Sequence, residues 1–167
     1  MTDSDSQAEI KAFLADPASY SAPPDRVEKF ETHGAIVFLA GDEAWKIKRA
    51  VRFPYMDLST LEKRHAVCQR EVEINRKWAP QIYLGCVPIT RESDGRLAFD
   101  GKGEPVEWAV RMRRFAQSDL LGSIADTRGI DRELACSLAD AAFESHATAQ
   151  PANDARGAER VGDLVSS

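Results

Sequence analysis

The chain has 167 residues, a formal net charge of −5, 43% apolar and 29% charged residues, which suits one domain with a real core, since a chain near this size buries about 70% of its unfolded surface. That balance excludes a wholly disordered polymer, and the negative charge argues against a nucleic-acid partner. No run approaches the ~20 apolar residues that span a bilayer, and the polar start Met1–Ser6 does not have the form of a signal peptide, so a cytoplasmic protein with no membrane partner is expected.

Met1–Ser6 reads as disordered, and Gln7–Ala15 as a short helix carrying Ile10, Phe13 and Leu14 at helical spacing, stopped by Asp16-Pro17 and laid on the domain as a packing element. Ser19–Asp25, with Pro23-Pro24, is a turn region. Val27–Thr32 is a first strand, His33-Gly34 interrupts it, and Ile36–Leu39 is an apolar second strand. After the turn Ala40-Gly41-Asp42, the run Glu43–Lys48 alternates, placing Trp45 and Ile47 on one face and Ala44, Lys46 and Lys48 on the other.

Arg49–Leu58 is a connection containing Pro54. Ser59 is the expected N-cap of the next helix, with Glu62 completing a capping box, and the helix runs to about Trp78 before Pro80. Leu61, Val67, Cys68, Val72, Ile74 and Trp78 fall in one arc at 100° steps, with Glu71 near its middle and Glu73 nearly opposite. Ile82–Ile89 and Leu97–Phe99 form a hairpin across Asp94-Gly95, Lys102–Pro105 is a turn, and Val106–Met112 is the last strand. Helices follow, one capped by Ser118 through Leu120, Leu121 and Ile124, and one over Asp131–Ala149 with Leu134, Leu138, Ala141, Ala142 and Ser145 at core spacing. Pro151–Ser167 reads as a frayed tail.

Cys68, Cys86 and Cys136 are widely spaced and odd in number, which predicts buried or half-buried thiols in place of a disulfide framework or a zinc site. Trp45, Trp78 and Trp108 are expected in the core. His33 reads as a turn residue, His146 as a packing or capping residue, Asp119 and Asp126 as capping or solvated, and the basic run Arg111, Arg113, Arg114 as a solvated strand end.

A carboxylate among apolar side chains is costly without a cation, so Glu71 demands a partner. Lys46 is the favoured one and Lys48 the alternative, with Arg64 available for a purely structural bridge. A strand lysine held by a helix glutamate can neutralise nucleotide phosphates, beneath a turn such as Thr32-His33-Gly34.

The blocks Glu31–Asp42, Trp45-Lys-Ile-Lys-Arg49, Arg52–Arg64, Arg70–Arg76 and Tyr83–Ile89 resemble the front part of bacterial aminoglycoside phosphotransferase-like proteins, over about Val27–Ala147. The resemblance implies an α+β fold, a protein-kinase-like N-lobe with an antiparallel sheet of about five strands and one long helix, followed by a connector and the first helices of a truncated C-lobe. The implied organisation is residues 1–24 helix and linker, 25–115 nucleotide lobe, 116–150 partial helical lobe and 151–167 tail. By position, Lys46 or Lys48 would meet ATP phosphates, Glu71 would orient the lysine, Gly34 would sit in the phosphate loop, and the strand end with Arg111 and Met112 would meet adenine through backbone groups. A complete relative would move the γ-phosphate to a small-molecule acceptor with Mg2+. The family's catalytic loop is expected after His146, where Asn153-Asp154 does not fit its pattern, so no catalytic residue is assigned. The alternative is a non-catalytic kinase-like interaction or regulatory module that binds a second copy or a partner protein where the missing lobe would dock.

Overall fold

The computed structural model describes residues 3–149, with Gly157, Val161 and Gly162 beyond them. Helix α1 (Asp3–Ala15) is followed by strands β1 (Val27–Glu31), β2 (Ala35–Ala40) and β3 (Glu43–Lys48), then by a two-strand hairpin, β4 (Arg52–Phe53) and β5 (Met56–Asp57). Helix α2 (Leu61–Arg76), strands β6 (Tyr83–Arg91), β7 (Leu97–Phe99) and β8 (Glu104–Arg113), and helices α3 (Leu121–Thr127) and α4 (Arg132–Thr148) complete the order. The class is α+β. The main sheet is antiparallel with six strands in the order β1-β2-β3-β8-β6-β7, one more than about five.

Residues 1–115 and 116–167 form two separate compact units. In the first, the sheet is covered on both faces, so its strands alternate between two cores. Toward α1, Trp45 and Ile47 join Ile36, Phe38, Ile89 and Ala109, and α1 inserts Ile10 and Leu14, 1% and 0% exposed. Each of those two side chains contributes ~1.5–3 kcal/mol by burial, so α1 is an integral layer. Toward α2, Ala44, Val110 and Met112 pack with Leu39, Cys68 and Val72. The tight β2–β3 turn is closed by Gly41 at φ +58°, a conformation that a side chain disfavours.

Several local expectations shift. Asp3–Ser6 belong to α1, while Met1 and Thr2 lie outside the described residues, as does nearly all of the expected tail. The 49–58 connection contains the β4–β5 hairpin. The cap of α2 is Thr60, whose hydroxyl accepts from Lys63 N at 3.4 Å; Ser59 instead donates its hydroxyl to Asp57 at 2.6 Å. A glutamate at Glu62 is one position short of closing a box with Thr60.

The inward stripe of α2 is Arg64, Cys68, Glu71 and Val72, leaving Val67, Ile74 and Trp78 at 40–49% exposed. Two of the four inward positions are thus charged, which pulls the buried face away from the arc of highest hydrophobicity. Trp78 is accordingly not a core residue, whereas Trp45 is buried and Trp108 half-buried.

In the second unit, Asp131 caps α4 by accepting from Leu134 N at 2.8 Å, but Ser118 caps nothing, since α3 has Leu120 at its cap position with no side-chain bond. Leu134 and Ser145 are half-buried, Leu138, Ala141 and Ala142 exposed, and His146 and Cys136 exposed as well. No described helix is long and apolar enough to cross a membrane.

Candidate functional site

Strand parity decides what faces α2. Lys46 stands opposite Val37 of β2 and Val110 of β8, while Lys48, two residues on, stands opposite Ala35. Both ammonium groups point toward α2. About two turns after Arg64 has anchored that helix, Glu71 meets them, accepting from Lys46 Nζ on Oε1 at 2.9 Å and from Lys48 Nζ on Oε2.

The two lysines left as alternatives therefore share one carboxylate. Glu71's side chain is 13% exposed, that of Lys48 10% and that of Lys46 27%, so Lys46 is the more open of the two cations. Burial pushes the Glu71 carboxyl upward, but hydrogen bonds and charge from Lys48 and Lys46 outweigh it and hold the group below its ordinary 4.5. Two ammonium groups against one carboxylate leave one net positive charge in a half-buried setting. An anion is the natural complement of that charge. Tyr83 of β6 borders the site: burial, with the nearby Glu71 charge, raises its phenol, while Lys46 acts the other way. Glu73 faces out and pairs with Arg70 at 3.2 Å.

The β1–β2 turn lies at the Lys48 end of the β2–β3 pair and is tied to it by Arg49. That residue's backbone N–H donates to Gly34 O at 3.0 Å and its guanidinium to Thr32 O and His33 O, each at 3.2 Å. From beneath, the β4–β5 hairpin supports the turn. His33 stacks on Phe53 at 4.2 Å and hydrogen-bonds Tyr55, and Met56 occupies the space where a side chain on Gly34 would project. His33 is thus a turn residue with a defined packing role.

Met112 shares the α2-covered face of the lysine site, whereas Arg111 does not. β8 is paired on both sides here, Met112 with Ala44 and Tyr83, Arg111 with Trp45 and Gly85, so their backbone groups lie within the sheet ladder. Arg111's guanidinium goes to the α1 side, where it binds Glu43 and lies 5.4 Å over the Trp45 ring. Arg113 and Arg114 continue the ladder by donating backbone N–H to Ile82 O and Asp42 O, each at 2.8 Å.

Arg64 does not bridge to Glu71. Its Nε donates to both oxygens of Glu107, at 3.1 and 2.9 Å, with the arginine 2% and the glutamate 0% exposed. Gln7 of α1 donates to the same carboxylate at 2.9 Å and to Lys48 O at 2.8 Å, and accepts from Ala50 N at 2.9 Å. This buried node clamps α1, α2, the end of β3 and β8 together, and through the Lys48 carbonyl it adjoins the lysine site directly. Sequence reasoning missed it, although a lone glutamate flanked by Val106 and Trp108 in the final strand was its visible trace.

Among the described residues no group of three or more His, Cys, Asp or Glu is placed to hold a metal ion. The site's own contribution is cationic.

No family model matches the chain, and no solved structure matches it. Uncharacterized proteins of Mycobacterium bovis and of two strains of Mycobacterium tuberculosis are each similar to it, 38% identical over 121 residues, which cover 72% of this chain and 22% of theirs. The chain thus spans about a fifth of the length of the curated relatives it matches.

Proposed function

We propose that this chain is the ATP-binding portion of an aminoglycoside phosphotransferase-like small-molecule kinase, residues 25–115 forming a protein-kinase-like nucleotide lobe. The observation that carries the reading is Glu71 held between Lys46 and Lys48 with one positive charge in excess. A lysine fixed by a helix carboxylate presents its charge to phosphate without reorganising, which is how kinases of that fold use such a pair. Lys46, the more open cation, takes the phosphates; Glu71, itself anchored by Lys48, holds it in place. The β1–β2 turn with Gly34 lies over the bound chain of phosphates. Mg2+ enters with the nucleotide, and the phosphate acceptor is not assigned.

Thermal stability with and without Mg-ATP, on the native chain and on Lys46→Ala and Lys48→Ala, tests this. A nucleotide-dependent rise in melting temperature is expected, abolished in Lys46→Ala and weakened in Lys48→Ala. No rise in the native chain overturns the proposal. The second reading, a non-catalytic kinase-like interaction module, draws on the exposed Leu120, Leu121, Ile130, Leu138 and Phe143 of the helical unit. An absent nucleotide response together with self-association by sedimentation would favour it.

A further inference from the structure

Beside the lysine site but apart from it, two cysteines meet across the α2–sheet boundary. Cys86 stands directly opposite Val110 in the β6–β8 ladder, so its side chain shares the face that α2 covers. Cys68, one turn before Val72 on the inward stripe, points into the same cluster, its Sγ 3.6 Å from Trp108 O. Cys86 packs against the apolar cluster that holds Cys68, so the two thiols occupy one pocket between α2 and the sheet. Their accessibility differs sharply: Cys68 is 0% exposed, whereas Cys86 is half-buried and lines a surface groove with His65, Gln69, Arg76 and Trp108.

We infer that Cys68 and Cys86 form an oxidation site, at which hydrogen peroxide entering the groove converts the thiol pair into an intramolecular disulfide that fastens α2 to β6. Cys86 is the attacking group, because the groove reaches it while Cys68 is fully buried. Its sulfur attacks the near peroxide oxygen and the O–O bond breaks; the sulfur keeps that oxygen as a sulfenic acid, and the other leaves as water. Cys68 then attacks the sulfenic sulfur, the S–O bond breaks, and the hydroxide released takes the Cys68 proton to become a second water. Two thiols lose two electrons and two hydrogens, and one peroxide is reduced to two waters. Because the partner thiol lies in the same cluster, the sulfenic acid is resolved before further oxidation. Reaction at this pair needs no nucleotide, so it stands or falls separately from the kinase reading.

The experiment uses the full chain in a Cys136→Ser background, since Cys136 is exposed and would otherwise couple chains together. After one equivalent of hydrogen peroxide, free thiols are titrated in denaturant and the protein is digested without reductant. Loss of both thiols is expected, with a single linked peptide pair containing Cys68 and Cys86 that dithiothreitol separates. In Cys68→Ser, Cys86 should stop at the sulfenic acid and be trapped by dimedone; in Cys86→Ser, Cys68 should stay reduced. Cys86 advancing to sulfinic acid in the Cys136→Ser protein without a link, a link between chains, or both thiols surviving would each overturn the proposal.

Discussion

Glu71 accepts one hydrogen bond on each carboxylate oxygen, from Lys46 on the first and Lys48 on the second. Glu71→Gln keeps the shape but leaves two half-buried cations facing a neutral amide. That substitution should lower stability by about 1–3 kcal/mol, the usual range for stranding a partly buried polar or charged partner. Lys48→Ala should cost more than Lys46→Ala, because the Lys48 side chain is 10% exposed against 27% for Lys46. Equal costs in urea unfolding, or no cost for Glu71→Gln, would contradict the shared-carboxylate geometry.

The same triad sets a pH dependence. Glu71 is held below its ordinary 4.5 in the folded protein, so near that pH the unfolded chain binds more protons than the native one. Stability from this group is therefore fully present above 4.5 and is lost as pH falls through the lower folded value. Asp57, Glu28 and Glu92 are shifted in the same direction, by hydrogen bonds first from Lys63, Arg114 and Thr90 respectively, so acid lability of the native chain alone does not isolate Glu71. The difference in melting temperature between native and Glu71→Gln protein does. It should be constant near neutrality and shrink toward zero in acid; a difference that grows on acidification would invert the assignment.

Arg64 and Glu107 form the most deeply buried ion pair in the ladder-and-helix unit, and breaking a pair of this kind from one side costs ~3–5 kcal/mol. Arg64→Met and Glu107→Met should each approach that loss, while Arg64→Met/Glu107→Met should cost much less than the sum of the two single changes, since neither charge remains to be stranded. Additive losses in that cycle would mean that Gln7 and the backbone oxygens of Leu58 and Ser59, the other partners of this node, carry the energy instead.

How much of this was legible follows from where the charges went. Strand parity in Glu43–Lys48 and the helical position of Glu71 were readable because both depend on local periods of 2 and 3.6 residues. The six-stranded order was not, because joining β3 to β8 is a long-range pairing that no local period encodes. On α2 the apolar arc misplaced Val67, Ile74 and Trp78, since the helix spends inward positions on Arg64 and Glu71, whose partners come from other elements. Arg111, by contrast, follows strand parity: it alternates with Val110 and Met112, which face α2, and so lies on the Trp45 side with Glu43.

Two glycines separate room from necessity. A Cβ on Gly34 would meet Met56 Cε at 2.7 Å and Sδ at 3.1 Å, both at the end of a flexible side chain on the β4–β5 hairpin. A methionine tip adapts readily, so Gly34→Ala should cost under about 1 kcal/mol, and adding Met56→Ala should not worsen the loop. At Gly103 the added Cβ would lie 1.9 Å from the backbone oxygen of Arg91, beside the Arg91–Glu104 end of the β6–β8 pairing. Backbone cannot step aside as a side chain does, and Gly103→Ala should cost about 2 kcal/mol or more. Urea unfolding of both variants decides it: equal costs would mean that the β1–β2 turn is held by more than the Met56 contact, and a large nucleotide-affinity loss in Gly34→Ala at unchanged stability would place the turn against the phosphates.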